Sequence, residues 1–369
     1  MATEAPTKAV RDPESFRGAL DAWMRRVHPD RAGLRVHDVD MPRSTGFSNE
    51  TVFFRATWRE GAGERTERFV ARIEPRDGGL FPEQTPACAV SVGVQHRIMS
   101  AVAASGVVPM PPMGAYEPDA SVLGSPFFAM GFVEGRVPAD WPRYSVEGFL
   151  VDEATPAERE RMVTSGLDAM AALHRLDPAT LDLGWLDPSG RGRPTFAMQL
   201  DLYRDYCARE LAGRPHPVMT RALDWLETYE PKGAPMGLSW GDARLGNMIW
   251  QDYRCAAVCD WEACALSPPD ADIGWWVMFD RMSFDDLGAP RLAGFPTREQ
   301  MVARWEEGVG RKVAGDILYW EIFGAMRFCA IMIKLSDRFL RAGMQTPETS
   351  TAVDNPVTQA LSRLLDAAD

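Results

Sequence analysis

Apolar positions alternate between helical and strand spacing along the chain. Phe16, Leu20, Trp23, Met24 and Val27 fall three or four residues apart and predict an amphipathic packing helix that Asp12 can cap and Pro13 can open. Val52 to Trp58 and Phe69 to Ile73 are rich in β-branched and aromatic residues, and the polar, Gly-containing stretch Arg59 to Arg68 separates them, which predicts a hairpin. A helix is expected over about Ala89 to Ser105, closed by Gly106, Pro109, Pro111 and Pro112. Phe127 to Met130 is a short apolar run that predicts a buried strand, followed by the connecting segment Gly131 to Gly135. From Arg136 onward the pattern turns helical. Glu158 to Leu176 carries the stripe Met162, Leu167, Met170, Leu173 and Leu176, and Leu200 to Leu211 and Met219 to Tyr229 are further helices. Within this helical part, Met248 to Trp250 and Cys255 to Cys259 flank Gln251 to Arg254 and predict strand, turn, strand. Met1 to about Arg11 and Thr346 to Asp369 read as loose tails, although Gln359 to Ala368 is rich enough in helix formers for a terminal helix.

At 369 residues the chain has room for two lobes sharing a cleft, and 46% hydrophobic with 25% charged residues describes an ordinary globular protein. A formal net charge of −12 argues against a nucleic-acid partner, which would need clustered Lys and Arg. Met1 to Asp12 lacks the apolar stretch of a signal peptide, and the charge-poor window Ile98 to Tyr116 is broken by Gly and Pro. The expectation is a cytoplasmic protein with no membrane partner. Six Cys suggest no disulfide framework, and Cys255, Cys259 and Cys264 lack zinc-site spacing; Cys255 and Cys259 read as small buried strand residues.

The densest candidate chemistry is Trp240-Gly241-Asp242-Ala243-Arg244-Leu245-Gly246-Asn247, followed across the expected hairpin by Asp260-Trp261-Glu262. A catalytic Asp242, a basic Arg244 two positions on and an Asn247 five positions on can address a hydroxyl, a phosphate and a metal from one loop; Asp260 can complete the metal site. Ahead of the first hairpin, Ser44-Thr45-Gly46-Phe47-Ser48-Asn49 is either an ordinary turn or a loop whose backbone N–H groups and hydroxyls cover phosphates. Arg72 alternates with Ala71 and Ile73, so it lies on the opposite strand face, where it either meets solvent or grips a phosphate.

These motifs resemble the aminoglycoside phosphotransferase and choline kinase superfamily, small-molecule relatives of the protein kinases, over most of the chain. The resemblance implies an α+β, two-lobed, protein-kinase-like fold. Residues 1–133 would form a small β-rich nucleotide-binding lobe with a helix, ending at a hinge, and 134–369 a larger, mainly helical catalytic and substrate-binding lobe. It implies ATP and Mg²⁺ as cofactors and γ-phosphoryl transfer to a small-molecule hydroxyl. Ser44 to Asn49 would be the phosphate loop and Arg72 the strand cation. Met130 would line the adenine pocket, with Gly131 and Val133 offering backbone groups. Asp242 would handle the hydroxyl proton, Arg244 would contact the phosphoryl group, and Asn247 and Asp260 would bind metal. Asp272 would hold the catalytic loop by its backbone, and His174 reads as structural. The chain departs from the family at Trp240, where a His is usual, and at Gln95, where a Glu would pair with the strand cation. Those departures leave a nucleotide-binding pseudoenzyme with a regulatory or scaffolding role as the alternative. No Asp-Phe-Gly or Ala-Pro-Glu segment points to a protein kinase.

The acceptor is open in the sequence. Trp275, Trp276, Phe279, Met282 and Phe284, then Tyr319, Trp320, Phe323, Met326 and Phe328, read by default as helix core, and any that face a cleft would favour an apolar or aromatic alcohol. Asp280, Asp285, Asp286, Glu306 and Glu307, which a polycationic aminoglycoside would need together, look scattered.

Overall fold

The computed structural model describes residues 13–41 and 50–369. Asp12, the first eleven residues and the Ser44–Asn49 segment lie outside the described residues. By its internal contacts the chain divides into two compact units: one runs to Gly79 and adds Cys88–Ala104 and Met110–Glu134, and the other comprises Leu80–Ala87, Ser105–Pro109 and Gly135–Asp369.

The first unit is a five-stranded antiparallel sheet in the order β1-β2-β3-β5-β4, formed by β1 (Arg35–Asp40), β2 (Glu50–Glu60), β3 (Gly63–Ile73), β4 (Met113–Glu117) and β5 (Phe127–Gly131). Helix α1 (Glu14–Val27) buries Phe16, Leu20, Trp23 and Met24 in a core with Val52, Phe54, Phe69, Ala71 and Phe127. Trp23 packs 4.7 Å from Phe127, and its indole N–H donates to Glu117 (3.0 Å), so a ring too polar for an oily core finds its partner.

The expected hairpin is present, but its arms are longer than the apolar pattern suggests: β2 and β3 pair from Glu50 opposite Ile73 to Glu60 opposite Gly63, and Gly61 turns the chain at φ +60°. Much of the Arg59–Arg68 stretch is exposed, so no alternation marks it as strand, and cross-strand pairs such as Arg65 with Glu60 accompany the backbone ladder there. Helix α2 (Ser91–Ser105) starts where the Glu74 carboxylate accepts from the backbone N–H groups of Ser91 (3.2 Å) and Val92 (2.7 Å).

The second unit is mainly helical: α3 (Phe149–Asp152), α4 (Pro156–His174), α5 (Phe196–Leu211), α6 (Pro217–Thr228), α7 (Asp270–Ser283), α8 (Arg298–Val309), α9 (Ile317–Arg341) and α10 (Pro356–Ala368). Two small antiparallel pairs are set among them, β6 (Gly237–Ser239) with β9 (Ala265–Ser267) and β7 (Met248–Gln251) with β8 (Arg254–Val258). Helix α4 opens on a capping box, in which the Thr155 hydroxyl accepts from Glu158 N and the Glu158 carboxylate accepts from Thr155 N. Of the aromatic residues left open above, Trp276, Tyr319, Trp320 and Phe323 are buried, and Phe196 meets the last three.

Two expectations are corrected. The β7–β8 turn is only Asp252-Tyr253, both at positive φ, with Gln251 and Arg254 already paired as strand residues. The chain after Thr346 is not a loose tail: Asn355 caps α10 by accepting from Val357 N and Thr358 N, and α10 buries Val357, Ala360, Leu361, Leu364 and Leu365. Those positions repeat at helical spacing, but the polar run ahead of them hides the signal.

Helices α7 and α9 approach so closely that Gly274 has no room for a side chain: a Cβ there would lie 2.4 Å from the Cβ and 2.5 Å from the carbonyl carbon of Trp320. Gly274→Ala is therefore expected to destabilise the protein by about 1–3 kcal/mol or more through overpacking, read as a lowered denaturant midpoint, whereas Gly18→Ala, in open space on α1, is expected to cost nothing.

Candidate active site

The Trp240–Asn247 loop leaves the buried strand β6, which pairs with β9 from Gly237 opposite Ser267 to Ser239 opposite Ala265. This pairing fixes the start of the loop against the stretch that follows Asp260. The loop closes in a short 3₁₀ turn, Leu245–Asn247, and runs straight into β7; Cys259 N–H then donates to the carbonyl of Asn247 (2.9 Å). The hairpin thus returns the chain to Asn247 one residue before Asp260, and the structure brings Asp242, Arg244, Asn247 and Asp260 together in one unit.

The loop is held in a conformation that needs help. Gly241 adopts φ +91°, and a Cβ on it would sit 2.0 Å from the carbonyl oxygen of Ala263, so only glycine fits. Asp260 also has positive φ, +56°. The holding group is Asp272, fully buried in the first turn of α7. Its carboxylate accepts from Trp240 N (2.6 Å), Gly241 N (2.8 Å), the Ser239 hydroxyl (2.8 Å) and His174 Nε2 (2.9 Å). Burial alone would raise its proton affinity, but these donors outweigh it and hold the carboxyl below the usual range. His174 is in turn fixed by the Trp305 indole N–H, which donates to Nδ1 (2.8 Å). From the other side Arg327 donates to the Gly241 carbonyl (2.8 Å) and to the Tyr203 hydroxyl (2.9 Å).

Trp240 is fully buried, and its indole N–H donates to the carbonyls of Cys259 (2.9 Å) and Asp260 (3.2 Å). It therefore ties the loop to the backbone at Asp260 and does more than fill space beneath it.

The Asp242 carboxylate is buried. Its Oδ1 accepts from the Trp275 indole N–H (2.9 Å) and from Arg244 Nε (3.1 Å), while the Asn247 amide donates to the Asp242 carbonyl (3.0 Å). Burial raises the Asp242 carboxyl above its ordinary value, and Asp260 adds to that, against the opposite pull of Arg244 and Asn247. Arg244 also grips Asp140 (2.6 and 2.7 Å). Burial works against its charge, but the carboxylates of Asp242 and Asp140 outweigh this and push the guanidinium up. The roles of Trp275 and Asp140 are absent from the motif reading: Trp275 carries the signature of a core residue, and Asp140 lies 102 positions from Asp242 in a segment without periodicity.

An implied Mg²⁺ fits the side chains present. Asn247 spends its amide nitrogen on the Asp242 carbonyl, which leaves the amide oxygen, and Asp260 supplies a carboxylate; both are the hard oxygen donors that Mg²⁺ takes one or two at a time beside phosphate and water. Among the described residues no cluster of three or more His, Cys, Asp or Glu forms a cage that would hold a metal without phosphate.

The other expected site residues lie in the first unit. Arg72 donates to the Thr51 hydroxyl on the neighbouring strand (3.0 Å), with Ala71 and Ile73 buried on the opposite face. Gln95 is buried in α2 and donates to Ser91 (3.0 Å). Met130 is buried in β5, and Gly131 N–H is already committed to the Pro112 carbonyl (2.7 Å). Val133, by contrast, forms no hydrogen bond among the described residues.

A buried loop of this build, with Asp, Arg and Asn at fixed spacing and a second Asp returned beside it, defines a kinase-like phosphotransferase. The sequence profile of the phosphotransferase enzyme family matches residues 41–306, and the chain belongs to that family. It is 26% identical over 330 residues to mouse acyl-CoA dehydrogenase family member 10, a match covering 86% of this chain and 28% of that protein; the chain thus spans less than a third of this relative's length. Among solved structures, a provisionally assigned aminoglycoside phosphotransferase of Ralstonia eutropha superposes with a TM-score of 0.68 at 24% identity over 95% of this chain and 98% of that one. A thermostable mutant of the aminoglycoside phosphotransferase APH(4)-Ia, in complex with ADP and hygromycin B, does so with a TM-score of 0.52 at 15% identity over 95% and 98%. The fold is the α+β kinase-like fold of these enzymes.

Removing the loop's anchor should be costly. Asp272→Ala leaves buried N–H and hydroxyl donors without an acceptor and is expected to lower stability by about 3–5 kcal/mol, measured by denaturant unfolding. A second test concerns Asp280, whose carboxyl burial raises to about 6 against the pull of Arg291. In the folded chain it keeps its proton where the unfolded chain has lost it, so its stabilisation is full below about pH 4 and is lost as pH rises through about 6. Relative to Asp280→Asn, which does not ionise, the wild type is expected to lose at most about 3 kcal/mol of unfolding free energy between pH 4 and 7.

Proposed function

We propose that the protein transfers the γ-phosphoryl group of ATP to a hydroxyl of a small molecule. The observation that carries this reading is the Asp242 carboxylate, buried and oriented by two donors on Oδ1, so that its other oxygen is the one to receive a hydroxyl proton. The acceptor oxygen attacks the γ-phosphorus, the bond from phosphorus to the β,γ-bridging oxygen breaks, ADP leaves, and the hydroxyl proton passes to Asp242. Arg244 lies beside Asp242 to meet charge on the phosphoryl oxygens. Asn247 and Asp260 would hold Mg²⁺, which supplies charge neutralisation across the phosphates.

In the same reading residues 1–133 bind the nucleotide and 134–369 carry catalysis and acceptor binding. Val133 offers the open backbone groups adenine would use, and Met130 lines the pocket. Of Gly131 only the carbonyl serves, since its N–H is spent on Pro112. Arg72 is assigned to phosphate, and the phosphate-loop role of Ser44, Thr45, Gly46, Phe47, Ser48 and Asn49 rests on sequence alone. The pseudoenzyme alternative drew on Trp240 and Gln95, and the tie from Trp240 to the Asp260 backbone favours a working site over a vestigial one.

For the acceptor, an apolar alcohol with an acyl-like body is favoured. The buried Trp275, whose indole holds Asp242, packs on Phe279 and Phe328, of which Phe328 is half-buried, and the match to a protein named for acyl-CoA chemistry points the same way. The test is Mg²⁺-dependent ADP release against hydroxylated acyl compounds, sugars, choline and aminoglycosides. Asp242→Asn is expected to lower kcat by about 10²- to 10⁴-fold with little change in the KM for ATP. Equal ADP release by the variant would sink the assignment of Asp242.

A further inference from the structure

Two guanidiniums that contact the Asp242 loop are spent. Arg244 lies between Asp242 and Asp140, and the buried Arg327 serves the Gly241 carbonyl and the Tyr203 hydroxyl. Arg143 is different. It is partly exposed, and among the described residues its side chain makes one hydrogen bond, to the Ser283 hydroxyl at 3.3 Å, and no ion pair. A guanidinium carries five N–H donors, so most of its capacity is uncommitted.

It shares an aromatic neighbour with Arg244. The guanidinium lies 5.6 Å from the centre of the Phe279 ring, the same ring that Arg244 approaches at 5.3 Å, and Phe279 stacks 5.5 Å from Trp275, whose indole N–H holds Asp242. The backbone on either side is pinned: Asp140 binds Arg244, and Tyr144 and Ser145 are buried, with the Ser145 hydroxyl donating to the Ser283 carbonyl. The nearby carboxylates are already matched, Asp140 and Asp242 with Arg244 and Asp280 with Arg291. A guanidinium with donors to spare is suited to a carboxylate, which it can bind by two parallel hydrogen bonds. Trp141 and Val146 lie two and three residues from it in the chain, with 67% and 54% of their surface exposed, and add apolar surface to the same segment.

We propose that the acceptor is a hydroxy acid with an apolar chain, its carboxylate paired with Arg143 and its hydroxyl presented to Asp242. The proposal rests on the phosphotransferase reading and sharpens it, because a polycationic acceptor would be repelled by Arg143.

The test compares β-hydroxydecanoate, its neutral amide and hygromycin B as acceptors for the wild type, Arg143→Gln and Arg143→Lys. ADP release is followed as a kcat and KM split, and binding is followed by calorimetry in Asp242→Asn with MgATP present. The acid is expected to exceed the amide in kcat/KM by about tenfold or more, and Arg143→Gln to erase that margin by raising the KM for the acid. The amide's constants should move far less than the acid's, and an unchanged KM for ATP reports that the variant is folded. Arg143→Lys should restore part of the margin, since it keeps the charge but loses the fork. Amide or hygromycin B used as well as the acid, no binding of the acid, or an acid-to-amide ratio indifferent to Arg143→Gln would each overturn the proposal. Acid binding that depends on Arg143 without ADP release from any acceptor would instead overturn the phosphotransferase reading and leave the anion site standing.

Discussion

The Asp272 carboxylate, fully buried at the start of α7, is the interaction on which the rest of the second unit's chemistry depends. Burying an unpaired carboxylate is prohibitive, and this one is tolerable only because four donors converge on it, two of them backbone N–H groups of the loop it organises. Dependence runs both ways. Without that acceptor, Trp240 N, Gly241 N and the Ser239 hydroxyl would be buried with unmet hydrogen bonds, and Gly241 would have no reason to stay at φ +91° against the Ala263 carbonyl. The strain of the loop is therefore balanced from α7, and the close fit of α7 on α9 at Gly274 keeps that helix where it must be.

How much of this the sequence discloses depends on the range of each interaction. Asp242, Arg244, Asn247 and Asp260 are legible because their chemistry requires fixed local spacing, and the hairpin between Asn247 and Asp260 announces itself by two short apolar runs. Asp272 is legible only through the family resemblance, since an Asp opening a helix serves as well as an ordinary cap. Trp275 and Asp140 are not legible. A tryptophan on a buried helix satisfies the same pattern whether its N–H meets a carbonyl or the Asp242 carboxylate, and Asp140 reaches Arg244 through a segment with neither helical nor strand period. The solvated ends of β2 and β3 fail to show for another reason: apolar alternation reports one buried face, and these ends have little of one.

Trp240, where a His is usual in the family, has a physical role of its own here. The loop needs a donor under it to bind the backbone at Asp260. An indole offers one N–H at the end of a large apolar ring, and here that N–H is shared between two successive carbonyls while the ring is completely buried against Trp261. The large ring is absorbed by packing, and its N–H ties the loop to the Asp260 segment.

Arg244 is the second point at which identity matters beyond charge. It spans Asp242 with Nε and Asp140 with Nη1, so one planar group ties the catalytic loop to the segment that carries Arg143 and Trp141. A lysine ammonium, the point charge that protein kinases place here, could neutralise either carboxylate but has no rigid fork with which to set the two at a fixed separation. In this chain the residue proposed to meet the transferring phosphoryl group is also the strut between Asp242, the proposed general base, and the proposed acceptor surface. Loss of Arg244 would therefore disturb acceptor placement as well as charge, and the two effects belong to one side chain because its geometry joins them.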